Sequence, residues 1–199
     1  MDLLSQLFKK QKSQTEAFLQ IQKSNGLWTS NQIPVEPTTH EGTLQLHCSL
    51  HWFNLEISEV LNSPSTQKNE EISDVLHFLL EFCILAGVEA DDILLVGPGE
   101  ERLEKVLSAS QTDPLVFPDP DTNLRFTILA ALRVADILKN KPWKQTLKDL
   151  DWDEFLDRVR AVWYWYGASV RTLGLTAEQL FAEYERKEEI NYNRIQKGR

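Results

Sequence analysis

Sulfur-containing residues are scarce in this 199-residue chain, which has two cysteines and one methionine. Cys48 and Cys83 lie far apart, without the close spacing of a metal site, and two cysteines cannot build the framework of a disulfide-rich protein. We expect both to be buried thiols in a reducing compartment. The opening residues do not resemble a signal peptide either, so the predicted location is cytoplasmic.

Long hydrophobic runs and an excess of positive charge are also missing. No uninterrupted apolar stretch is long enough to cross a membrane, so no membrane partner is expected. The formal charge of −9 disfavours a nucleic-acid partner, because phosphate contacts require a basic surface. An acidic small-molecule substrate stays open, since bound cations can invert the local field.

Strand-like alternation does not persist anywhere, and the chain contains only eight glycines. Apolar residues instead recur at helical spacing. The main predicted helices cover residues 2–23, 44–61, 70–86, 122–139 and 153–172.

Two further helices complete the prediction. A short one follows a loop after residue 87, and the last begins at Thr176, which forms a capping-box pattern with Gln179. Gly198 stands where a helix stop is expected. We therefore predict the all-α fold class: a helical bundle of five to seven helices in a single domain over 1–199, with a variable helical region at about 88–172.

Two acidic pairs lie on neighbouring predicted helices. Glu56 and Glu59 belong to "NLEISEVLNS", and Glu71 and Asp74 belong to "EEISDVLHF". Residues three apart project from one helix face, and the short connection favours antiparallel neighbours. Four carboxylates that meet repel one another unless a cation lies among them, and oxygen ligands suit Mg²⁺ or Mn²⁺.

The second of these helices carries two stripes. The core stripe is apolar and comprises Ile72, Val75, Leu79 and Phe82. The polar stripe comprises Glu71, Asp74, His77 and Phe78. The same acidic spacing is common on solvated helix faces, so the residue pattern alone leaves a metal site and a charged surface both open.

The pattern ExxE, a short connection and then ExxD followed by "VLHF" resembles the all-α nucleoside triphosphate pyrophosphohydrolases, which include MazG-like proteins. It is most similar to the dimeric dUTPase family. The C-terminal "KEEINYNRIQKG" is similar to the closing signature of that family, whose positions are Lys187, Asn191, Arg194 and Gly198 here.

The resemblance implies a role for each matching residue. Mg²⁺, with Mn²⁺ as a possible substitute, would be held by Glu56, Glu59, Glu71 and Asp74, and Glu56 would also be the catalytic residue that orients or deprotonates water. The phosphates would be bound by Lys187 and Arg194. The nucleoside would be bound by His77, Phe78, Asn191, Gln11 and Gln14.

Some positions depart from the family pattern. Gln14 stands where the family has Asn, the tryptophan-rich segment after the first acidic motif is missing, and Arg199 replaces an aromatic residue. The resemblance implies a homodimeric, Mg²⁺-dependent dUTP diphosphatase that forms dUMP and pyrophosphate. The alternatives are the same chemistry on dCTP or a modified nucleotide, and a non-catalytic helical interaction module whose acidic stripe is only surface.

Overall fold

The computed structural model describes residues 2–26, 32–94, 101–109, 113–114 and 116–196, leaving aside the side chains of 194–196. Its helices are α1 (Leu3–Ser24), α2 (His40–Asn62), α3 (Lys68–Ala86), α4 (Ala90–Ile93), α5 (Arg102–Ser108), α6 (Pro120–Ile137), α7 (Trp152–Thr172) and α8 (Ala177–Gln196).

The predicted all-α fold class is confirmed. The described residues contain eight helices and no strands, so the prediction of five to seven was too low by one. The missed element is α4, which has four residues and is too short to show a hydrophobic period. Reciprocal capping between Glu89 and Asp92 stabilises this single turn.

Side-chain caps determine where the longer helices begin. Thr39 Oγ1 accepts a hydrogen bond from the backbone N–H of Gly42 at 3.0 Å, so α2 begins at His40 and not at the first apolar residue, Leu44. The predicted capping box of α8 is confirmed. Thr176 N–H donates to Gln179 Oε1 at 2.9 Å, and Gln179 N–H donates to Thr176 Oγ1 at 3.2 Å.

Helix α3 lies at the centre of the bundle and packs against α1, α2 and α8. The predicted core stripe is confirmed, since its members are all buried: Ile72, Val75, Leu79 and Phe82. Buried aromatic residues of α7 bond to the same side of α3. Tyr166 donates to the carbonyl of Ile72 at 3.1 Å, and Trp163 donates to Cys83 Sγ at 3.4 Å. The polar stripe of α3 therefore faces helices other than α7.

The fold bears on the predictions about membrane spans and about the two cysteines. No described helix has the length and apolar character that a membrane span requires. Cys83 is buried as expected, whereas Cys48 is only half-buried, so the expectation of two buried thiols was half right.

Candidate active site

The acidic pairs of α2 and α3 lie within electrostatic reach of one another. Glu56 is half-buried, and burial raises the pKa of its carboxyl. The neighbouring charges of Glu59, Asp74 and Glu71 raise this pKa further, to about 7. Burial also raises the pKa of Glu71. The fold thus concentrates negative charge between α2 and α3. The repulsion among these carboxylates is unfavourable, and a bound cation would remove it.

Lys187 of α8 supplies a cation at this cluster. Its Nζ donates to Asp74 Oδ2 at 2.7 Å and lies 3.3 Å from Glu70 Oε1. Burial alone would lower the pKa of Lys187, but the hydrogen bond and charge of Asp74, together with the hydrogen bond to Glu70 and the charge of Glu71, outweigh burial, and the net shift is upward. Helix α8 therefore places an ammonium group where sequence reasoning had expected only metal.

The carboxylates do not form a finished ligand set. Across the described part of the chain, no group of three or more histidine, cysteine, aspartate or glutamate side chains converges closely enough to hold an ion. The donor chemistry nevertheless fits Mg²⁺, because the cluster consists of carboxylate oxygens and already attracts the Lys187 ammonium group.

A buried polar trio lies one helical turn along α3 from Asp74. His77 Nδ1 and the Tyr184 hydroxyl both bond to Gln11 Oε1, at 3.0 and 2.8 Å. The rings of His77 and Tyr184 stack with their centroids 4.0 Å apart. Since an amide oxygen only accepts, Nδ1 carries the proton and Nε2 presents a lone pair.

His77 is neutral in this environment. It is only 6% exposed, and burial lowers its pKa to about 4, a shift that the backbone of Tyr184 only partly offsets. Its Nε2 atom is buried and has no hydrogen-bond partner among the described residues. A buried acceptor without a partner is costly, so this nitrogen suits a ligand that donates a hydrogen bond.

The other predicted nucleoside and phosphate residues are spread around this trio. Phe78 is half-buried against the core, and Gln14 is buried at the edge of a cavity of about 540 Å³ between α1 and α8. Asn191 is half-buried on α8, one turn beyond Lys187. The side chain of Arg194 lies outside the described residues, as does Gly198.

Sequence reasoning missed Tyr184 entirely. This residue orients Gln11 and stacks on His77, and its one signal in the sequence is its position three residues before Lys187, which places both on one face of α8. Sequence reasoning also predicted only a phosphate-binding role for Lys187, because nothing in the sequence around Lys187 indicates that α8 lies beside Asp74.

A family model described as dUTPase matches residues 4–198, which is nearly the whole chain. The chain belongs to the dUTPase family. No curated protein and no solved structure matches it.

Membership in the dUTPase family confirms the resemblance drawn from the acidic and closing motifs. It also gives the coarse activity, since the chain is a dUTPase-like nucleotide hydrolase of the pyrophosphohydrolase type. The described structure brings together two groups of predicted site residues, the acidic cluster of α2 and α3 and the trio of His77, Gln11 and Tyr184.

Proposed function

We propose that the protein is a Mg²⁺-dependent dUTP diphosphatase that hydrolyses dUTP to dUMP and pyrophosphate. The observation that carries the proposal is the order of groups along α3. The acidic cluster is followed one turn later by the neutral ring of His77, whose Nε2 has no hydrogen-bond partner within the described part of the chain. Membership in the dUTPase family supports the same substrate. The homodimer also stays a proposal, and exposed Leu44 and Leu55 on α2 are compatible with it.

Glu56, Glu59, Glu71 and Asp74 would hold the metal. When bound, Mg²⁺ would neutralise charge on the triphosphate and lower the pKa of the attacking water. Glu56 would orient that water and accept a proton from it. Lys187 would bind phosphate oxygens, together with Arg194.

Base selection would follow from the neutral form of His77, which carries its proton on Nδ1 and a lone pair on Nε2. Its Nε2 lone pair accepts the N3–H of uracil, whereas cytosine presents a lone pair at the same ring position. A site that hydrogen-bonds one base rejects the other, because the buried nitrogen is then left unpaired. Gln11 and Tyr184 would act as positioning residues that fix the ring and its tautomer.

A substrate panel tests the proposed function. With Mg²⁺ present we expect dUTP to yield dUMP and pyrophosphate, with much slower turnover of dCTP, dTTP and purine nucleotides. Chelating the metal should remove the activity, and adding Mg²⁺ or Mn²⁺ back should restore it. Release of pyrophosphate and formation of dUMP are the quantities to measure. Faster turnover of dCTP or a modified nucleotide would give the substrate assignment to that alternative.

Replacing Gln11 with leucine tests the base pocket. Loss of its Oε1 leaves His77 Nδ1 without its acceptor, so the ring and tautomer are no longer fixed. We expect kcat/KM for dUTP to fall by about tenfold or more, and the preference for dUTP over dCTP to shrink. Gln20→Leu, at an exposed position on the same helix, is the control. An unchanged dUTP-to-dCTP ratio in Gln11→Leu would remove His77 from base selection.

A further inference from the structure

The cavity of about 540 Å³ between α1 and α8 has the size of a small-molecule site, for which volumes of roughly 300–1,000 Å³ are usual. Neither the carboxylates that would hold Mg²⁺ nor the His77 trio belongs to the described residues that line it. Its charged, amide and aromatic wall residues are Lys10 and Gln14 of α1 and Glu185, Glu188, Glu189 and Tyr192 of α8. The cavity is therefore a candidate site for a second ligand.

Gln14 brings an amide without a partner to this cavity. It comes three residues after Gln11, so the two side chains leave α1 in directions roughly 60° apart. Gln11 bonds to His77 and Tyr184, whereas the amide of Gln14 has no hydrogen-bond partner among the described residues. Gln14 is nevertheless only 8% exposed. Burying an amide without hydrogen bonds is costly, so this wall favours a ligand that bonds to it.

The α8 wall of the cavity is acidic. Lys10 Nζ lies 3.1 Å from Glu185 Oε1 and 3.3 Å from Glu188 Oε2. The hydrogen bond with Glu185, which is the largest cause, and the charge of Glu188 raise the pKa of Lys10 against the opposing effect of burial. Glu189, the third acidic residue, forms no ion pair with any described residue. Three carboxylates thus surround one ammonium group, and the local field favours a further cation.

The cation that fits this cavity is organic and not a bare metal ion. Within the ranges that the structure describes, no three histidine, cysteine, aspartate or glutamate side chains come together as a metal site. Tyr192 instead contributes an aromatic ring that is 59% exposed, and the face of such a ring attracts ammonium groups. Ala17 adds an apolar surface to the same wall, which suits an alkyl chain.

We propose that the cavity between α1 and α8 binds an organic cation of the polyamine class, in which ammonium groups are joined by an alkyl chain. One ammonium group pairs with the Glu189 carboxylate beside the ring of Tyr192. An N–H of the ligand donates to Gln14 Oε1, and the alkyl chain lies against Ala17. Binding does not depend on which nucleotide the protein hydrolyses, because none of these groups belongs to the acidic cluster or to the His77 trio.

Spermidine is the probe, titrated calorimetrically into the unmodified protein with excess Mg²⁺ present to compete at the acidic cluster of α2 and α3. We expect spermidine to bind and to raise Tm. Gln14→Leu should weaken binding by about tenfold, because the amide acceptor is lost. Glu189→Gln should weaken it by about fivefold, as expected for an exposed ion pair. Tyr192→Leu should weaken it by about threefold, whereas Tyr192→Phe keeps the ring and should bind normally.

Glu178→Gln is the matched control, since it removes the same charge from an exposed position in the first turn of α8, outside the cavity. This variant should bind spermidine as tightly as the unmodified protein. Equal weakening by Glu178→Gln and Glu189→Gln, or unchanged affinity in every cavity variant, would mean that spermidine binds acidic surface in general, and the proposal is then wrong. Failure of the unmodified protein to bind spermidine also refutes it. If deoxyuridine binds instead and Gln14→Leu abolishes that binding, the cavity takes a nucleoside.

Discussion

Replacing Glu56 with glutamine should lower kcat/KM for dUTP by roughly three orders of magnitude or more while the protein stays folded. The carboxylate would both bind the metal and orient water, and glutamine can neither carry the charge nor accept a proton. Initial rates of pyrophosphate release at saturating Mg²⁺ measure the loss. Glu41→Gln, at an exposed position in the first turn of the same helix, should stay near the unmodified rate.

The same variant has a second expected result, in the pH dependence of stability without metal. The pKa of Glu56 is raised to about 7 in the folded protein, from an ordinary value of 4.5. Folding therefore favours the protonated form, so its contribution is present below pH 4.5 and is lost as the pH rises through 7. In EDTA, the unmodified protein should lose Tm over this range, and Glu56→Gln should lose less. An active Glu56→Gln with an unchanged pH profile would exclude Glu56 from the site.

Replacing Lys187 with glutamine should raise KM for dUTP by about a hundredfold, because the phosphates lose a charged partner. Without metal, the variant should also be less stable than the unmodified protein, since Asp74 then lacks the ammonium group 2.7 Å away. Mg²⁺ should consequently raise Tm more in the variant than in the unmodified protein. Steady-state kinetics and thermal unfolding in EDTA or Mg²⁺ measure these effects.

Arg186→Gln is the matched control for Lys187. Arg186 directly precedes Lys187, is exposed, and forms ion pairs with Glu183 and Glu70. Exposed ion pairs contribute little, so this variant should change KM and Tm only slightly. Equal effects of the two substitutions would mean that general positive charge, and not the position of Lys187, serves the substrate.

The helices could be predicted because their signals are local. Apolar residues at helical spacing gave α1, α2, α3, α6 and α7, and the core stripe of α3 was correct residue by residue. The start of α2 was placed late because the cap at Thr39, rather than an apolar residue, begins it. The single turn α4 has too few residues to show any period.

The candidate site was predictable only in part. The spacing of Glu56 with Glu59, and of Glu71 with Asp74, put each pair on one helix face, and the short α2–α3 connection brought the pairs together. The spacing carried no information about which neighbours would bury these acids or oppose their charge. The raised pKa of Glu56 depends on both helices at once.

By itself the sequence determined the helical fold class, the faces of the helices and the family, because periodicity and motif spacing act within one segment. The packing of α8 against α1 and α3 was decided by tertiary structure alone. That packing joins Lys187 to Asp74 and Tyr184 to Gln11, residues that are far apart in the chain. No local pattern encodes such a contact, since it results from the summed burial of the helix faces that carry these residues.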